Sequence, residues 1–348
     1  MNLPADRYAH SDSLHLRYWL EGDGDQNLVL LHGIGGTVEI WRKQFEHLPH
    51  AHRVLAIDLP GCGRSEVPDE YPPDPLHLFA AAVRNVMQQA GMKQATLLGS
   101  SLGGAVAIEF AARWPEMVRS MVLIGPAGMN GNMAWPLRLM ALPGVGEALT
   151  QPARTRTAQA IRQCVADPQV VEEEDIDRAY EMSRLPGVQG AFLKLLRVYA
   201  GVRGVDRREL RRLHFCMRRV DAPVLVLWGT DDRILPISAA ATALTQFPNA
   251  GLIVRKGKGH LIFIEEPEWF DHIVSRFVRS PQAVLDAAVR HADAPTLAPY
   301  AADAHDLLPV KLPRRATSRA LAAASFGLVA LLAIQRAWPR SGEGSGVL

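Results

Sequence analysis

The hydrophobic positions of the chain fall into two alternating patterns. Short runs that are almost wholly apolar, rich in leucine and β-branched residues, alternate with stretches in which apolar residues recur at helical spacing. Such runs are typical of strands that are buried on both faces of a parallel sheet. The predicted strands are residues 27–31, 54–57, 95–98, 121–124, 224–228 and 252–254, and an alternating run at 14–20 is predicted to be an edge strand. The pattern therefore predicts an α/β fold, with helices on both faces of a mostly parallel sheet.

Residues 129–219 have a different pattern. No run of the buried-strand type occurs in this stretch, and helical patterns interrupted by prolines dominate it. The sequence thus predicts a helical cap inserted between two strands of the sheet. The predicted core is then formed by residues 1–128 and 220–282.

The composition changes abruptly after a last predicted core helix at residues 269–278. Residues 283–318 are rich in alanine, proline and aspartate and are predicted to form a flexible linker. Residues 319–348 contain an uncharged run, 320–334, with basic residues on both sides, and this run is shorter than the about 20 apolar residues that cross a bilayer. Two interpretations remain open: a surface or docking helix, or a membrane anchor that keeps the rest of the chain on the cytoplasmic face.

Charge and cysteine content narrow the class of protein. The net charge of +2 gives no reason to expect nucleic-acid binding. Cys62, Cys164 and Cys216 lie far apart and lack the spacing of metal ligands, so we expect a reducing compartment and no structural metal. The first residues lack the apolar segment of a signal peptide, and we therefore expect a cytoplasmic location.

The strongest chemical signal is a G-x-S-x-G motif at residues 99–103. It comes directly after the predicted strand 95–98 and directly before a helical run at 105–113. A serine on such a turn adopts a strained backbone, which small flanking residues permit. Ser101 is therefore a candidate nucleophile at the carboxyl end of the sheet. Taken alone, the motif also fits an N-cap serine in a glycine-rich turn.

A serine hydroxyl becomes a good nucleophile only when a base, oriented by a carboxylate, takes its proton. His260 follows the predicted strand 252–254 after a glycine-rich loop, and it is the candidate base. Asp231 and Asp232 both follow the predicted strand 224–228. Sequence spacing alone does not choose between these two carboxylates.

The loop at residues 31–36 is rich in glycine and offers backbone N–H groups with little side-chain cover. An oxyanion hole needs such donors, and the candidates are the backbone N–H groups of Ile34 and Leu102. An ordinary glycine-rich turn between a strand and a helix is the alternative. A phosphate-binding loop is disfavoured because neither G-x-x-x-x-G-K-[ST] nor G-x-G-x-x-G occurs.

With these motifs in place, the chain resembles the α/β-hydrolase family, in the branch that has a serine nucleophile and a helical cap after the sixth strand. The resemblance covers about residues 14–280 and rests on LLHGIGG at 30–36, DLPGCGRS at 58–65, GSSLGG at 99–104, WGTDDRILP at 228–236 and GHLIFIEEP at 259–267. It implies an eight-stranded, mostly parallel sheet. It also selects Asp232 as the acid beside Ser101 and His260, and it implies neither a metal nor an organic cofactor.

The resemblance implies that Ser101 attacks an acyl carbonyl with His260 as base, and that water then hydrolyses the acyl-enzyme. Carbon–carbon bond hydrolases of meta-cleavage pathways usually have tryptophan directly after the catalytic histidine, where this chain has Leu261. We therefore expect hydrolysis of a carboxylic ester with a moderately apolar acyl group, in a small molecule or a lipid. The alternatives are a carbon–carbon hydrolase, a thioesterase or an acyltransferase, and, less favoured because the set of Ser101, Asp232 and His260 is complete, a non-catalytic binding protein.

Two stretches of the predicted cap bear on the substrate and its location. Residues 133–143 are apolar with a single charge, which fits either core packing or a lid over an acyl pocket. A basic stretch follows, opposed only by Asp206 and Glu209, and fits either a solvated helix face or a surface for an anionic membrane. Its basic residues are Arg203, Arg207, Arg208, Arg211, Arg212, Arg218 and Arg219.

Overall fold

The computed structural model describes residues 3–288, and an eight-stranded sheet forms their centre. The strands of the sheet are β1 (Arg7–Ser11), β2 (Leu14–Glu21), β3 (Asn27–Leu31), β4 (Arg53–Ile57), β5 (Ala95–Ser100), β6 (Val118–Ile124), β9 (Val224–Gly229) and β10 (Ala250–Arg255). Their order across the sheet is β1-β2-β4-β3-β5-β6-β9-β10. β1 and β2 run antiparallel to their neighbours, whereas the pairs from β4 to β10 are parallel. The expected eight-stranded, mostly parallel sheet is confirmed.

The edge strand differs from the prediction. The alternating run at 14–20 was expected at the edge, but β2 lies between β1 and β4, and β1 is the edge strand. β1 has the sequence RYAHS, too polar to register as a hydrophobic run. It is paired with β2 because a tight turn at Asp12, whose φ is +52°, folds the chain back on itself.

Successive residues of each central strand pack on opposite faces of the sheet. In β3, Val29 and Leu31 belong to one apolar cluster, and Leu28 and Leu30 belong to the other. The first cluster includes α2 (Pro75–Gln89), α3 (Leu102–Arg113) and α10 (Ala240–Gln246), and the second includes α11 (Ile262–Glu265), α12 (Pro267–Arg279) and α13 (Pro281–Ala287). A short helix α1 (Gln44–His47) follows a 3-10 turn, Val38–Trp41. The sheet is therefore covered by helices on both faces.

Six helices lie between β6 and β9 in the chain. They are α4 (Trp135–Met140), α5 (Val145–Leu149), α6 (Arg154–Gln163), α7 (Glu173–Ser183), α8 (Val188–Tyr199) and α9 (Arg207–Met217). Between α8 and α9 the two-residue strands β7 (Ala200–Gly201) and β8 (Gly204–Val205) form a small hairpin. We refer to residues 129–219 as the cap.

Several ion pairs join the cap to the core, among them those of Arg42 and Arg212. Arg42 contacts the Asp175 carboxylate of α7 through two nitrogens, at 2.5 and 3.0 Å. Arg212 of α9 lies 2.5 Å from the Glu109 carboxylate, which is 1% exposed in α3. Because loss of one partner leaves a buried charge without compensation, these pairs hold the cap in a defined position on the core.

The C-terminal part of the core is longer than predicted. Residues 283–287 were assigned to the linker, but they belong to α13, in which Val284 and Leu285 are buried. The linker was predicted from the average composition of a stretch rich in alanine, proline and aspartate, and such an average does not show that Val284 and Leu285 are apolar. The rest of the predicted linker, to residue 318, and the predicted C-terminal segment 319–348 lie outside the described residues. Within residues 3–288, no helix combines the length and apolar character that crossing a bilayer requires.

Candidate active site

Ser101 lies on the sharp turn that joins β5 to α3. Its backbone is strained for a residue with a side chain, with φ +53° and ψ −117°. The flanking glycines are needed because a Cβ on Gly99 would lie 2.5 Å from the carbonyl oxygen of Gly103. The Ser101 N–H donates to the Ile124 carbonyl at 3.0 Å, which fixes the turn against the end of β6.

His260 and Asp232 are in direct contact. His260 Nδ1 lies 2.7 Å from Asp232 Oδ2, and both residues are buried. The other carboxylate oxygen of Asp232 accepts the backbone N–H groups of Ile234 and Leu235 at 2.8 and 2.9 Å. Both oxygens of this carboxylate are thus engaged, and it holds the imidazole in one orientation.

Asp231, the alternative acid, points elsewhere. Its side chain is exposed and accepts a hydrogen bond from the Thr230 hydroxyl at 2.9 Å. The two neighbouring aspartates, which sequence spacing could not separate, therefore differ in their partners. Of the two, Asp232 contacts His260.

Gly125 shows how Ser101 and His260 come to lie at the same edge of the sheet. It directly follows β6, the strand beside β5, and a Cβ at this position would lie 2.9 Å from His260 Nδ1 and 3.2 Å from Asp232 Oδ2. The imidazole thus lies over the end of β6, next to the residue whose carbonyl binds the Ser101 N–H. Because β5, β6, β9 and β10 are adjacent and parallel, loops far apart in sequence meet at their carboxyl ends.

The loop after β3 lies directly against Ser101. A Cβ on Gly33 would lie 3.0 Å from Ser101 Cβ and 3.6 Å from its Oγ. Ile34 follows Gly33 in this loop, and Leu102 is the first residue of α3, where the backbone N–H has no acceptor within the helix. The structure therefore places both candidate oxyanion donors in segments that adjoin Ser101.

The same loop is held in place by a buried neutral histidine. Burial lowers the pKa of His32 to about 4, so its ring is uncharged near neutral pH. His32 Nδ1 lies 2.8 Å from the Gly33 carbonyl, and Nε2 accepts the Leu59 N–H at 3.0 Å. This ring connects the loop after β3 to the loop after β4.

Asp58 provides a second connection between these loops. Its carboxylate accepts the N–H groups of Val38 and Arg64 at 2.7 and 2.9 Å and pairs with the buried Arg17 at 3.1 Å. The carboxylate is thus surrounded by donors although it is wholly buried, and burial raises its pKa to about 7 although Arg17 and the two N–H groups lower it. Through Asp58 and Arg64, the DLPGCGRS motif therefore has a structural role, which is to join the loops after β3 and β4.

The sequence did not identify the residues that position the loop of His260. The carbonyl of Cys164, in the cap, accepts the N–H groups of His260 and Leu261 at 2.8 and 3.1 Å. Glu265 accepts the Gly259 N–H at 2.6 Å through one oxygen and the Ala166 N–H at 3.0 Å through the other. One carboxylate thus connects the cap to the loop that carries His260.

The Cys164 thiol is unsuited to act as a nucleophile, and the Glu265 carboxylate is engaged by backbone N–H groups on both oxygens. Burial raises the pKa of Glu265, although backbone N–H groups donate to its carboxylate and lower it. Burial, reinforced by the Asp232 charge, raises the pKa of the Cys164 thiol to about 12, so this thiol stays protonated and is a poor nucleophile. The sequence GHLIFIEEP at 259–267 does not by itself indicate that the cap turn of Cys164 and Ala166 packs against these residues.

An apolar cluster lies over the loop after β3. Ile34 packs against the buried cap residues Ala141, Leu196 and Ala200, together with the half-buried Met133, Leu137, Met140 and Phe192. The surface beside Gly35 is also apolar, since a Cβ there would lie 3.2 Å from the Phe192 ring. The apolar stretch at 133–143 thus contributes to the wall next to the candidate oxyanion donors.

Comparison with known proteins agrees with this architecture. Residues 26–267 match the family model described as the alpha/beta hydrolase fold. The chain belongs to this family. As a member, it combines the family's eight-stranded sheet with a serine turn at the end of β5.

Among curated relatives, the chain is 28% identical to a 2-hydroxy-6-oxononadienedioate/2-hydroxy-6-oxononatrienedioate hydrolase of Pseudomonas sp, over 74% of this chain and 89% of that protein. It is 30% identical to the dihydrolipoyllysine-residue acetyltransferase component of an acetoin cleaving system of Pseudomonas putida, over 79% and 70% of the two chains. A solved structure of 2-hydroxy-6-oxo-6-phenylhexa-2,4-dienoate hydrolase from Rhodococcus sp. strain RHA1 superposes with a TM-score of 0.68, at 23% identity over 79% of this chain and 99% of the other. The last likeness is one of fold.

Proposed function

We propose that this hydrolase uses Ser101 as nucleophile, His260 as general base and Asp232 as the residue that orients the base. One observation carries the proposal. The Asp232–His260 pair, 2.7 Å apart, lies over Gly125 at the end of β6, and the strained turn of Ser101 is hydrogen-bonded to the same strand end. The N–H groups of Ile34 and Leu102 would stabilise the oxyanion.

We propose a carbon–carbon bond next to a ketone as the bond that is cleaved. The 2-hydroxy-6-oxo-dienedioate hydrolase relative supports this reaction better than the ester hydrolysis expected from the sequence. Ser101 Oγ adds to the ketone carbon while His260 takes the hydroxyl proton. In the keto tautomer of the substrate, in which the dienol proton has moved to the carbon beside the ketone, the carbon–carbon bond then breaks and its electron pair passes into the enone. His260 gives its proton to the resulting dienolate, which leaves as the dienol. Water hydrolyses the acyl-enzyme and releases a carboxylic acid.

The apolar cluster around Ile34 indicates which acyl group fits. A carboxylate packed against these apolar side chains would lose its hydration, at a cost of several kcal/mol. The named relative acts on a dienedioate, which has a second carboxylate. We therefore propose an acyl half without charge, such as an aryl or alkyl ketone.

Ester hydrolysis is the second candidate, and one residue favours it. Leu261 occupies the position after His260, where the carbon–carbon hydrolases that the sequence resembles usually have tryptophan. Leu261 is buried in the cluster that contains Val165 of the cap and Phe263. The side chain at this position therefore fills apolar space beneath the cap. Because leucine is smaller than tryptophan, the packing around His260 differs from that in such carbon–carbon hydrolases.

The test compares three substrates on the full-length protein. 2-Hydroxy-6-oxo-6-phenylhexa-2,4-dienoate and 2-hydroxy-6-oxononadienedioate share the dienoate half and differ in the acyl half, and a p-nitrophenyl ester series from acetyl to palmitoyl is the ester probe. We expect kcat/KM for the phenyl ketone to exceed that for the dienedioate by about 100-fold, since about 2.7 kcal/mol corresponds to that ratio.

Each outcome decides between the candidates. Hydrolysis of esters with both ketones inert would replace the carbon–carbon proposal by ester hydrolysis. Faster hydrolysis of the dienedioate would contradict the uncharged acyl half alone. A folded protein inert toward all three, and toward acyl transfer to a thiol, would overturn the assignment of Ser101 as nucleophile.

Glu265 is expected to act as a positioning residue for His260. In Glu265→Ala, both the Gly259 and Ala166 N–H groups lose their acceptor, and we expect kcat to fall about 10-fold to 100-fold with KM changed less than twofold. Glu265→Gln retains one acceptor oxygen and should recover part of the loss. Steady-state kinetics at a temperature well below the unfolding midpoint measures the effect.

Glu268→Ala, three residues further on and exposed, is the matched control and should leave both parameters unchanged. If Glu265 had only a structural role, Glu265→Ala and Glu265→Gln would lower the unfolding temperature, but kcat of the folded enzyme would stay at the wild-type value. That result would contradict the positioning role.

A further inference from the structure

The outer face of α9 combines exposed arginines with an exposed aromatic ring. Arg208, Arg211 and Phe215 of α9, and Arg219 in the turn that follows it, recur at a spacing of three or four residues and are all exposed, whereas Glu209, Leu213, Cys216 and Met217 of the helix are buried. We call the exposed residues the basic stripe. It is about 17 Å long, from 1.5 Å per residue.

The arginines of the stripe have no carboxylate partner in the part of the chain that the structure describes. Within residues 3–288, none of Arg208, Arg211 and Arg219 forms an ion pair, while Arg212 on the inner side of α9 binds Glu109, Asp74 and Glu209. Arg219 lies over the Phe215 ring, 5.4 Å from its centroid. The acidic Asp206 nearby is engaged as the N-cap of α9, where its carboxylate accepts the Arg208 and Glu209 N–H groups.

Large apolar side chains are exposed in α9, in the hairpin that precedes it and in the helix that contacts this hairpin. Phe215 is 54% exposed, and in the hairpin that leads into α9 Val202 is 41% exposed next to the exposed Arg203. Trp135, at the start of α4, which contacts β7, is 43% exposed. Solvation of a charged helix explains the arginines but not an aromatic ring in their midst. Basic residues with interleaved aromatic and aliphatic side chains are typical of surfaces that lie in the headgroup region of a bilayer.

We propose that the basic stripe, with the tip of the β7–β8 hairpin, docks the cap onto an anionic phospholipid bilayer. The arginines pair with lipid phosphates and acidic headgroups, and Phe215 and Val202 enter the boundary between headgroups and acyl chains. Charge complementarity selects this occupant, because the stripe presents cations without a carboxylate partner next to the exposed Phe215 ring. The proposal does not depend on which bond the enzyme cleaves.

The test is co-sedimentation of the full-length protein with vesicles of phosphatidylcholine alone or of phosphatidylcholine with about a third phosphatidylglycerol. We expect the triple variant Arg208→Gln/Arg211→Gln/Arg219→Gln to bind the anionic vesicles about 100-fold more weakly than wild type, at about fivefold per arginine. The difference should disappear at about 1 M salt, where the Debye length is about 3 Å. Phe215→Ser should weaken binding by a factor that salt does not change.

A control triple variant removes the same charge from exposed residues of the core: Arg7→Gln/Lys93→Gln/Arg119→Gln. It should bind like wild type, and because all variants keep residues 289–348, any binding by that segment is common to all. Equal binding of wild type and stripe variant to anionic vesicles would overturn the proposal. So would tighter binding of wild type to a short duplex DNA than to vesicles, lost in the stripe variant, which would assign the stripe to nucleic acid.

Discussion

Replacing Ser101 by alanine is expected to lower kcat/KM by about 10⁴-fold or more on whichever substrate the wild type hydrolyses. Removal of the nucleophile leaves only the oxyanion donors and substrate binding, and in serine hydrolases these retain a small part of the rate enhancement. The variant should fold normally, because the Ser101 backbone makes the hydrogen bonds to Ile124 and Ala127 that fix the turn. Steady-state kinetics on the phenyl ketone and the ester series measures the loss.

The adjacent serine is the matched control. Ser100 is 1% exposed, and its hydroxyl has no hydrogen-bond partner among the described residues. Ser100→Ala should therefore retain activity within about threefold and should not lower stability, since it removes a buried polar group that lacks a partner. Equal activity of Ser101→Ala and wild type, or equal loss in both alanine variants, would contradict the assigned nucleophile.

The strained backbone of Ser101 predicts that replacing this residue by glycine, which also removes the nucleophile, makes the protein more stable than replacing it by alanine. Glycine adopts φ +53° without penalty, whereas alanine retains the strain of the serine. We expect Ser101→Gly to be inactive and more stable than Ser101→Ala by about 1 kcal/mol in the free energy of unfolding. Denaturant unfolding of the two variants measures this difference, and equal stabilities would mean that the turn is not strained.

The second large effect is expected at Asp232, where a neighbouring residue again gives the control. Asp232→Asn should lower kcat by about 10³-fold to 10⁴-fold, because an amide favours the wrong tautomer of His260 and does not stabilise its charged form. Asp231→Asn should leave kcat within about twofold, since the exposed Asp231 carboxylate accepts a hydrogen bond from the Thr230 hydroxyl and does not contact His260. Kinetics of the two variants under one set of conditions gives the comparison.

Large loss in Asp231→Asn with little in Asp232→Asn would reverse the assignment. A small effect of both would mean that His260 works without an orienting carboxylate. Because Asp232 also accepts the Ile234 and Leu235 N–H groups, circular dichroism of Asp232→Asn should accompany the kinetics. A folded variant with low kcat separates the orienting role from a loss of loop structure.

The sequence was enough to predict seven of the eight strands of the sheet, because buried parallel strands require apolar runs and the helices between them require a helical period. It also determined which residue types lie at the strand ends, since strand–turn–helix geometry makes a glycine-flanked serine at 101 recognisable. It missed β1, whose polar residues pair only because the next strand is there, and it missed α13, whose two buried apolar residues are masked by the surrounding composition.

Which of these groups lie in contact follows from the three-dimensional packing and not from any local sequence pattern. Asp231 and Asp232 are adjacent in the chain and chemically identical, and the direction of the backbone after β9 alone turns one toward His260 and the other toward solvent. The loop of His260 is held by Glu265 and by the Cys164 carbonyl, which lie about 100 residues apart in the sequence. They meet because a cap turn packs against this loop, and no local sequence pattern specifies that packing. The charge of α9 was visible in the sequence, but its division into a paired Arg212 and the unpaired arginines of the basic stripe depends on which helix face rests on α3.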